Sequence, residues 1–388
     1  MNRVSTNHRV YGKLSQDMDE IDDNSIELVV TSPPYPMVEM WDEILGSQNK
    51  EIEAALSTNE ANKAFELMHQ ELDKIWREVA RVVIPNGIVC INIGDATRTI
   101  DGNFALYSNH SRIINFFVNQ GFVNLPNILW RKQTNAPNKF MGSGMLPAGA
   151  YVTLEHEWIL VFRKGGKREF RRGEERERRR ESAFFWEERN VWFSDLWDNI
   201  KGTKQSVTTS PESRERSAAY PFEIPYRLIN MYSLQGDRVL DPFLGTGTTS
   251  LAAMASCRNS IGYEVDGAFA QIARDNIAAA SVHKMSDVML DRIGRHKEFV
   301  DERSKDRVFK HYNEVLELPV MTSQERLISP LYPISIDSSN QDCISVTYDS
   351  SPCEGVPLAP LSRGSRRGAK GREQSLPTLN LSTLSIAE

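Results

Sequence analysis

Short apolar runs alternate with amphipathic segments along much of the chain. Apolar runs at residues 26–31 and 238–240 predict buried strands, and periodic apolar positions at residues 61–83 and 248–255 predict helices. Strands that alternate with helices are typical of a parallel sheet covered by helices. The alternation stops within residues 164–211 and then resumes, so we expect an α/β fold whose sheet is completed from both ends of the chain.

Changes in composition divide the chain into four expected regions. Residues 1–163 form the first half of the sheet, residues 164–211 an insertion, and residues 212–317 the second half. Residues 318–388 become rich in Ser, Pro, Gly and Arg, with too little apolar content to offset the entropy of ordering. We therefore predict a disordered C-terminal tail.

Composition excludes several classes of protein. The chain has 388 residues with 40% hydrophobic content, enough for a sizeable core. No apolar run approaches the roughly 20 residues that span a bilayer, and no signal-like segment follows Met1, so we expect a cytoplasmic protein without a membrane partner. No paired cysteine spacing indicates a metal site or disulfide framework, and we expect ordinary thiols at Cys90, Cys257, Cys343 and Cys353.

The insertion carries a local basic character that the net charge of −6 hides. Basic residues outnumber acidic ones from Arg163 to Arg180, and aromatic residues follow from Phe184 to Phe193. Such a segment is a candidate DNA-facing element. Because glutamates alternate with these arginines, a solvated, salt-bridged helix is an equal alternative.

A glycine-containing loop follows the strand at residues 238–240. Gly245 and Gly247 let the backbone turn tightly and approach a ligand near the start of the next helix. A nicotinamide dinucleotide site would need a third glycine where Ser250 stands, and the sequence therefore does not match such a site. Glu264 ends the next strand, where a carboxylate can accept hydrogen bonds from both ribose hydroxyls of a nucleoside.

A second motif, Ser32–Tyr35, follows the strand at residues 26–31. Pro34 lacks an amide hydrogen and keeps Pro33 extended, which makes a stiff corner with a fixed Pro33 carbonyl. Ser32 Oγ and that carbonyl could hold the two hydrogens of an exocyclic base amine, and Tyr35 offers a face for a base flipped out of a duplex. Methylation at carbon 5 of cytosine would need a thiolate nucleophile beside a proline. Cys90 follows Val89 inside an apolar strand, and the one Pro-Cys pair, Pro352-Cys353, lies in the polar C-terminal region rather than after a strand.

With these residues in hand, the chain resembles the beta group of amino-type DNA methyltransferases, in which the catalytic motif precedes the cofactor motif. The resemblance covers roughly residues 9–285. It implies a Rossmann-like, circularly permuted, seven-stranded and mostly parallel sheet with S-adenosyl-L-methionine as cofactor. Residues 1–163 would then be the catalytic half, residues 164–211 a target-recognition insertion, and residues 212–317 the cofactor-binding half. The expected cofactor residues are Asp241, Phe243, Gly245, Thr246, Gly247, Thr248 and Glu264.

The form Ser32-Pro33-Pro34-Tyr35 usually accompanies methylation of the N4 amine of cytosine in this family, as part of a restriction-modification system. Double-stranded DNA is then the substrate, a cognate endonuclease is expected to be encoded nearby, and residues 36–42 resemble a subgroup acting on short palindromes of CTAG type. Adenine N6 methylation and a non-catalytic DNA-binding protein that binds the same cofactor remain the alternatives. Lys13 stands where the family often has an Asp that binds adenine, so the adenine ligand is unassigned.

Overall fold

The computed structural model describes residues 4–132, 141–202, 220–340 and 342–351. The strands, in chain order, are β1 (Val4–Tyr11), β2 (Ile26–Thr31), β3 (Val83–Ile93), β4 (Ala96–Ile100), β5 (Asn103–Tyr107), β6 (Phe122–Asn124), β7 (Ile128–Arg131), β8 (Met141–Gly142), β9 (Ala150–Tyr151), β10 (His156–Lys164), β11 (Leu196–Trp197), β12 (Arg238–Asp241), β13 (Asn259–Tyr263), β14 (His311–Asn313), β15 (Leu318–Val320), β16 (Tyr332–Asp337) and β17 (Cys343–Asp349).

The α-helices of the described residues alternate with many of these strands. They are α1 (Asp42–Gln48), α2 (Lys50–Ser57), α3 (Ala61–Val82), α4 (Asn109–Asn119), α5 (Gly173–Glu181), α6 (Trp186–Trp192), α7 (Glu223–Tyr232), α8 (Thr248–Ala255), α9 (Gly267–Ala278) and α10 (Val282–Arg303). The described residues divide into two compact units. The first is drawn from residues 4–13, 168–193, 222–340 and 342–351, and the second from residues 14–132, 141–167, 194–202 and 220–221.

In the first unit, β13 pairs in parallel with β1 on one side and with β12 on the other. β17 runs antiparallel to β1, and β16 antiparallel to β17. Helices α7 and α8 are largely buried, and α8 is rich in alanine, which lets it pack closely. His8 lies in the core between Thr6 and Ser260, where burial lowers its pKa to about 3, so it is a neutral structural residue.

The second unit contains β2 and β3 in parallel register, with Val30 opposite Cys90. β10 runs antiparallel to β3 and is also paired antiparallel with β6 and β7, and β11 lies parallel to β7. Helix α3 buries one face, including Trp76, as its apolar spacing predicts. The α/β class inferred from the sequence is confirmed.

The structure has more strands than the expected seven. Among the described residues, β1, β12, β13, β16 and β17 pair in the first unit, and β2, β3, β6, β7, β10 and β11 pair in the second. The tail expected from residue 318 is ordered at β16 and β17, because Ile344, Val346 and Tyr348 alternate with polar residues and bury one side of β17. The rest of the expected tail, residues 352–388, lies outside the described residues.

The boundaries of the units also differ from the expected regions. β1 falls in the first unit, with β12 and β13, because it pairs in parallel with β13. Helices α5 and α6, which the sequence placed in a separate insertion, pack within the same unit. Residues 203–211 of that expected insertion lie outside the described residues.

Candidate active site

The Ser32–Tyr35 corner leaves the end of β2 and is held in place by buried polar contacts. Asn109, fully buried at the start of α4, donates its Nδ2 to the carbonyl oxygens of Pro36 (3.1 Å) and Gly94 (2.9 Å). Met37 adopts a φ of 68°, and its amide donates to Met68 Sδ. These contacts fix the loop after the two prolines, so the corner is rigid on both sides.

A hydrogen-bonded cluster surrounds the Tyr35 hydroxyl, and we call it the tyrosine cluster: Ser32, Tyr35, Asn92, Lys132 and Glu157. The Tyr35 hydroxyl donates to Glu157 Oε2 (2.9 Å) and lies 3.2 Å from Ser32 Oγ. Asn92 Nδ2 donates to the same Glu157 oxygen (2.7 Å) and to the Tyr35 hydroxyl (2.9 Å). Lys132 Nζ donates to the other Glu157 oxygen at 2.8 Å, which balances the carboxylate charge.

The environment of Tyr35 keeps its phenol protonated. Burial and then the negative charge of Glu157 raise the pKa of Tyr35 well above its usual value. A Cβ added to Gly94 would stand 2.9 Å from Tyr35 Cε2, so a side chain at this position would displace the ring. Gly94 therefore leaves the space that the Tyr35 ring occupies.

The cofactor-type loop of the first unit follows β12 with its own internal hydrogen bonds. Asp241, almost fully buried, accepts from the amide of Phe243 (3.0 Å) and from Thr249 Oγ1 (2.6 Å). Asn276 Nδ2 donates to the carbonyl oxygen of Thr246 at 2.8 Å. Asp241 thus ties the loop to the first turn of α8, which begins at Thr248.

Two glycines of this loop have left-handed backbones. Gly245 has a φ of 56°, and Gly247, the residue before α8, has a φ of 91°. A Cβ on Gly247 would lie 3.4 Å from Ala273 Cβ, whereas a Cβ on Gly245 would meet no described atom within 4 Å. Open space therefore lies against the Gly245 backbone, at the place where a ligand is expected to approach it.

Glu264 closes the loop from the end of β13. Its Oε2 accepts from the Gly245 amide at 2.8 Å, and its Oε1 accepts from the Asp266 amide at 2.9 Å. Burial is the main reason that its pKa is raised. Each carboxylate oxygen keeps a second lone pair, so both can still accept a hydroxyl hydrogen. With the open space at Gly245, these residues fit a nucleoside that carries two ribose hydroxyls.

The structure therefore brings together the expected residues in two sets, each within its own unit. Ser32, Pro33, Pro34 and Tyr35 lie in the second unit, and Asp241, Phe243, Gly245, Thr246, Gly247, Thr248 and Glu264 in the first. Lys13 Nζ lies 6.0 Å from the centre of the Tyr263 ring.

Sequence reasoning from the motifs alone missed Asn92, Lys132 and Glu157. A partial signal exists for Lys132 and Glu157, because residues 130–132 and 155–160 are two further stretches that resemble the amino-type DNA methyltransferases. Tyr35 and Glu157 are 122 positions apart in the sequence, and no local sequence pattern predicts a contact over such a separation.

The basic segment is partly structural, and its contact with DNA stays a prediction. Arg168 and Arg178 pair with Asp237, whose side chain is 1% exposed, so they are structural. Arg172, Arg176 and Arg180 are exposed along α5. Ion pairs with Asp237 therefore account for two of the basic residues, and the other three leave an exposed positive charge on the surface.

Two of the three cysteines in the described part of the chain, Cys90 and Cys257, are buried. Among the described residues no group of three or more His, Cys, Asp or Glu side chains could hold a metal ion. No helix there is long and apolar enough to cross a bilayer. Burial raises the pKa of the Cys90 and Cys257 thiols, which makes them unreactive core residues.

A glycine-containing loop after a buried strand, with a carboxylate at the end of the next strand, is the arrangement of nucleotide-binding α/β proteins. Residues 26–275 match the family model described as DNA methylase, N6_N4_Mtase. The chain belongs to this DNA methylase family.

Individual relatives are consistent with that membership. The chain is 53% identical to the Type II methyltransferase M.MthZI of Methanothermobacter thermautotrophicus over 85% of this chain and 92% of that protein. It is 49% identical to the Type II methyltransferase M.MjaI of Methanocaldococcus jannaschii, over 75% of this chain and 98% of that one. A similar solved structure is TTHA0409 of Thermus thermophilus, complexed with S-adenosyl-L-methionine, with a TM-score of 0.53 and 30% identity over 69% of this chain and 92% of that one.

Proposed function

We propose that this protein transfers a methyl group from S-adenosyl-L-methionine to the N4 amine of cytosine in a short site of double-stranded DNA. The observation that carries the proposal is the rigid Ser32–Tyr35 corner at the end of β2, where Ser32 Oγ lies 3.2 Å from the Tyr35 hydroxyl within the tyrosine cluster. Ser rather than Asp at the first position of the motif favours cytosine over adenine. Family membership and two Type II methyltransferase relatives support the reaction class.

The second unit holds the base amine in this proposal. An exocyclic amine is a poor nucleophile because its lone pair is delocalised into the ring. Ser32 Oγ and the Pro33 carbonyl accept its two hydrogens, which turns the lone pair out of conjugation. Tyr35 receives the flipped base on its ring face, which replaces part of the stacking lost on flipping, about 1–3 kcal/mol per base.

The first unit holds the cofactor in this proposal. S-adenosyl-L-methionine supplies an electrophilic methyl group when it is bound. The Gly245–Gly247 backbone leaves room for its approach, and Glu264 accepts hydrogen bonds from the ribose hydroxyls. Asp241 fixes the loop by accepting hydrogen bonds from the Phe243 amide and from Thr249 Oγ1.

We further propose that residues 164–211 provide much of the target recognition, with a palindrome of CTAG type as the site to test first. The exposed arginines of α5 suit phosphate contacts, whereas Phe185 and Trp192 of the adjacent aromatic segment are buried and pack within the first unit. Protection of host DNA from a cognate endonuclease is the biological role that fits a Type II methyltransferase.

Transfer of radiolabelled methyl groups to duplex DNA tests the enzymatic claim. The wild-type protein should label DNA that contains the site, and Ser32→Ala should lower turnover by roughly tenfold to a hundredfold with the affinity for S-adenosyl-L-methionine unchanged. Cofactor binding without any DNA labelling would instead support a non-catalytic DNA-binding protein.

A further inference from the structure

The direction of one hydrogen bond in the tyrosine cluster decides how Ser32 meets its substrate. Ser32 Oγ and the Tyr35 hydroxyl lie 3.2 Å apart, and either could donate to the other. A serine hydroxyl has one hydrogen and two lone pairs. If its hydrogen points at the base, it opposes an amine N–H, whereas if its hydrogen points at Tyr35, both lone pairs remain to accept.

Glu157 settles the direction at Tyr35. A carboxylate can only accept hydrogen bonds, and Glu157 Oε2 lies 2.9 Å from the Tyr35 hydroxyl. The single phenol hydrogen therefore goes to Glu157, and the raised pKa of Tyr35 keeps that hydrogen in place. Tyr35 Oη is then left as an acceptor for its other two neighbours, Asn92 and Ser32.

Asn92 completes the pattern without competing for Ser32. Its two amide hydrogens have short partners in Glu157 (2.7 Å) and Tyr35 (2.9 Å), while Ser32 Oγ is 3.5 Å away. The opposite amide orientation would place Asn92 Oδ1 2.7 Å from a carboxylate oxygen, which is repulsive. The lone pairs of Ser32 are therefore not taken by Asn92.

We propose that Glu157 is a positioning residue that acts through Tyr35: it directs the Ser32 hydroxyl hydrogen toward Tyr35 Oη and leaves Ser32 Oγ as a pure acceptor for the substrate amine. The inference rests on the proposed function, because it concerns the amine that Ser32 receives. No proton is transferred within the cluster, whose effect is orientation alone. Lys132 contributes by holding the carboxylate charge in place.

A double-mutant cycle tests the relay, because residues that act through one another have coupled effects. Tyr35→Phe keeps the aromatic face and removes the hydroxyl. We expect it to lower kcat on the order of tenfold, with the affinity for S-adenosyl-L-methionine unchanged. In the Ser32→Ala background the same substitution should change kcat by less than about twofold, since no serine hydrogen remains to direct.

Glu157→Gln is a second test variant, which keeps the shape of the side chain. It replaces Tyr35→Phe in the cycle if that variant has a lower melting temperature. It too should lower kcat in the wild-type background and have little effect beside Ser32→Ala. Tyr312→Phe, at an exposed tyrosine of the first unit, is the matched control and should leave kcat unchanged.

Two results would overturn the relay. One is independence of the substitutions, in which each double variant lowers kcat by the product of the two single-variant factors. The other is an unchanged kcat in both Tyr35→Phe and Glu157→Gln. A wild-type protein that labels no DNA would contradict the proposed function itself, which separates that failure from failure of the relay.

Discussion

Replacing Glu264 by Gln should weaken S-adenosyl-L-methionine binding while the protein stays folded. The carboxylate accepts from two backbone amides, at 2.8 Å from Gly245 and 2.9 Å from Asp266. Gln has one carbonyl oxygen, so its amino group must face one of these N–H donors or the ribose. One hydrogen bond to a charged acceptor is lost, which amounts to about 1.5–3 kcal/mol.

That loss corresponds to roughly tenfold to a hundredfold in affinity, since about 1.4 kcal/mol is a factor of ten. The lower end is expected because burial already disfavours the charged form of Glu264. Isothermal titration calorimetry with the purified variant measures the change, and Glu298→Gln, at an exposed position of α10, is the matched control. Affinity within twofold of wild type in a folded Glu264→Gln protein would refute the ribose-ligand assignment.

The same residue predicts a pH dependence of stability without cofactor. Because the folded pKa of Glu264 is raised, the unfolded chain releases this proton first as the pH increases. Its contribution to stability is therefore present below the ordinary glutamate pKa and is lost as the pH rises through the folded value. Urea unfolding at several pH values should show a smaller fall over this interval in Glu264→Gln than in wild type, and equal falls would contradict the assigned direction.

Three other variants separate cofactor binding, folding stability and DNA contact. Gly247→Val should abolish S-adenosyl-L-methionine binding, because a β-branched residue is strained at a φ of 91°, and normal affinity by calorimetry would contradict this. Asp237→Asn should lower the free energy of unfolding by about 2 kcal/mol in urea titrations, since two arginines would lose a buried partner, and an unchanged value would show that the pair is dispensable. Neutralising Arg172 and Arg180 together should weaken binding to DNA of every sequence and flatten its salt dependence, whereas an unchanged salt slope would make α5 a purely solvated helix.

Elements with a strong local pattern were predictable from the sequence. The helix expected at residues 248–255 is α8, and the helix expected at residues 61–83 is α3, one residue shorter. Both have apolar periodicity that matches their buried faces. A sequence pattern is less informative at residues 122–131, where the chain forms two short strands, β6 and β7, on either side of Pro126, which cannot donate a ladder hydrogen bond.

The remaining features depend on distant partners. β17 looked like part of a polar tail because its buried residues alternate with Ser and Thr, and pairing with β1 stabilises it. The tyrosine cluster joins residues at or next to β2, β3, β7 and β10, so its geometry exists only after the second unit folds. Likewise, the structural part played by Arg168 and Arg178 depends on Asp237, which lies 69 and 59 residues away along the chain.

The central claim concerns the base that receives the methyl group, and nucleoside analysis of the product tests it most directly. Duplex DNA containing the candidate site is incubated with purified protein and isotopically labelled S-adenosyl-L-methionine, digested to nucleosides and analysed by mass spectrometry. The account predicts labelled N4-methylcytosine as the product. Labelled N6-methyladenine would contradict the cytosine assignment drawn from Ser32, and labelled 5-methylcytosine would contradict the amino-methylation mechanism as a whole.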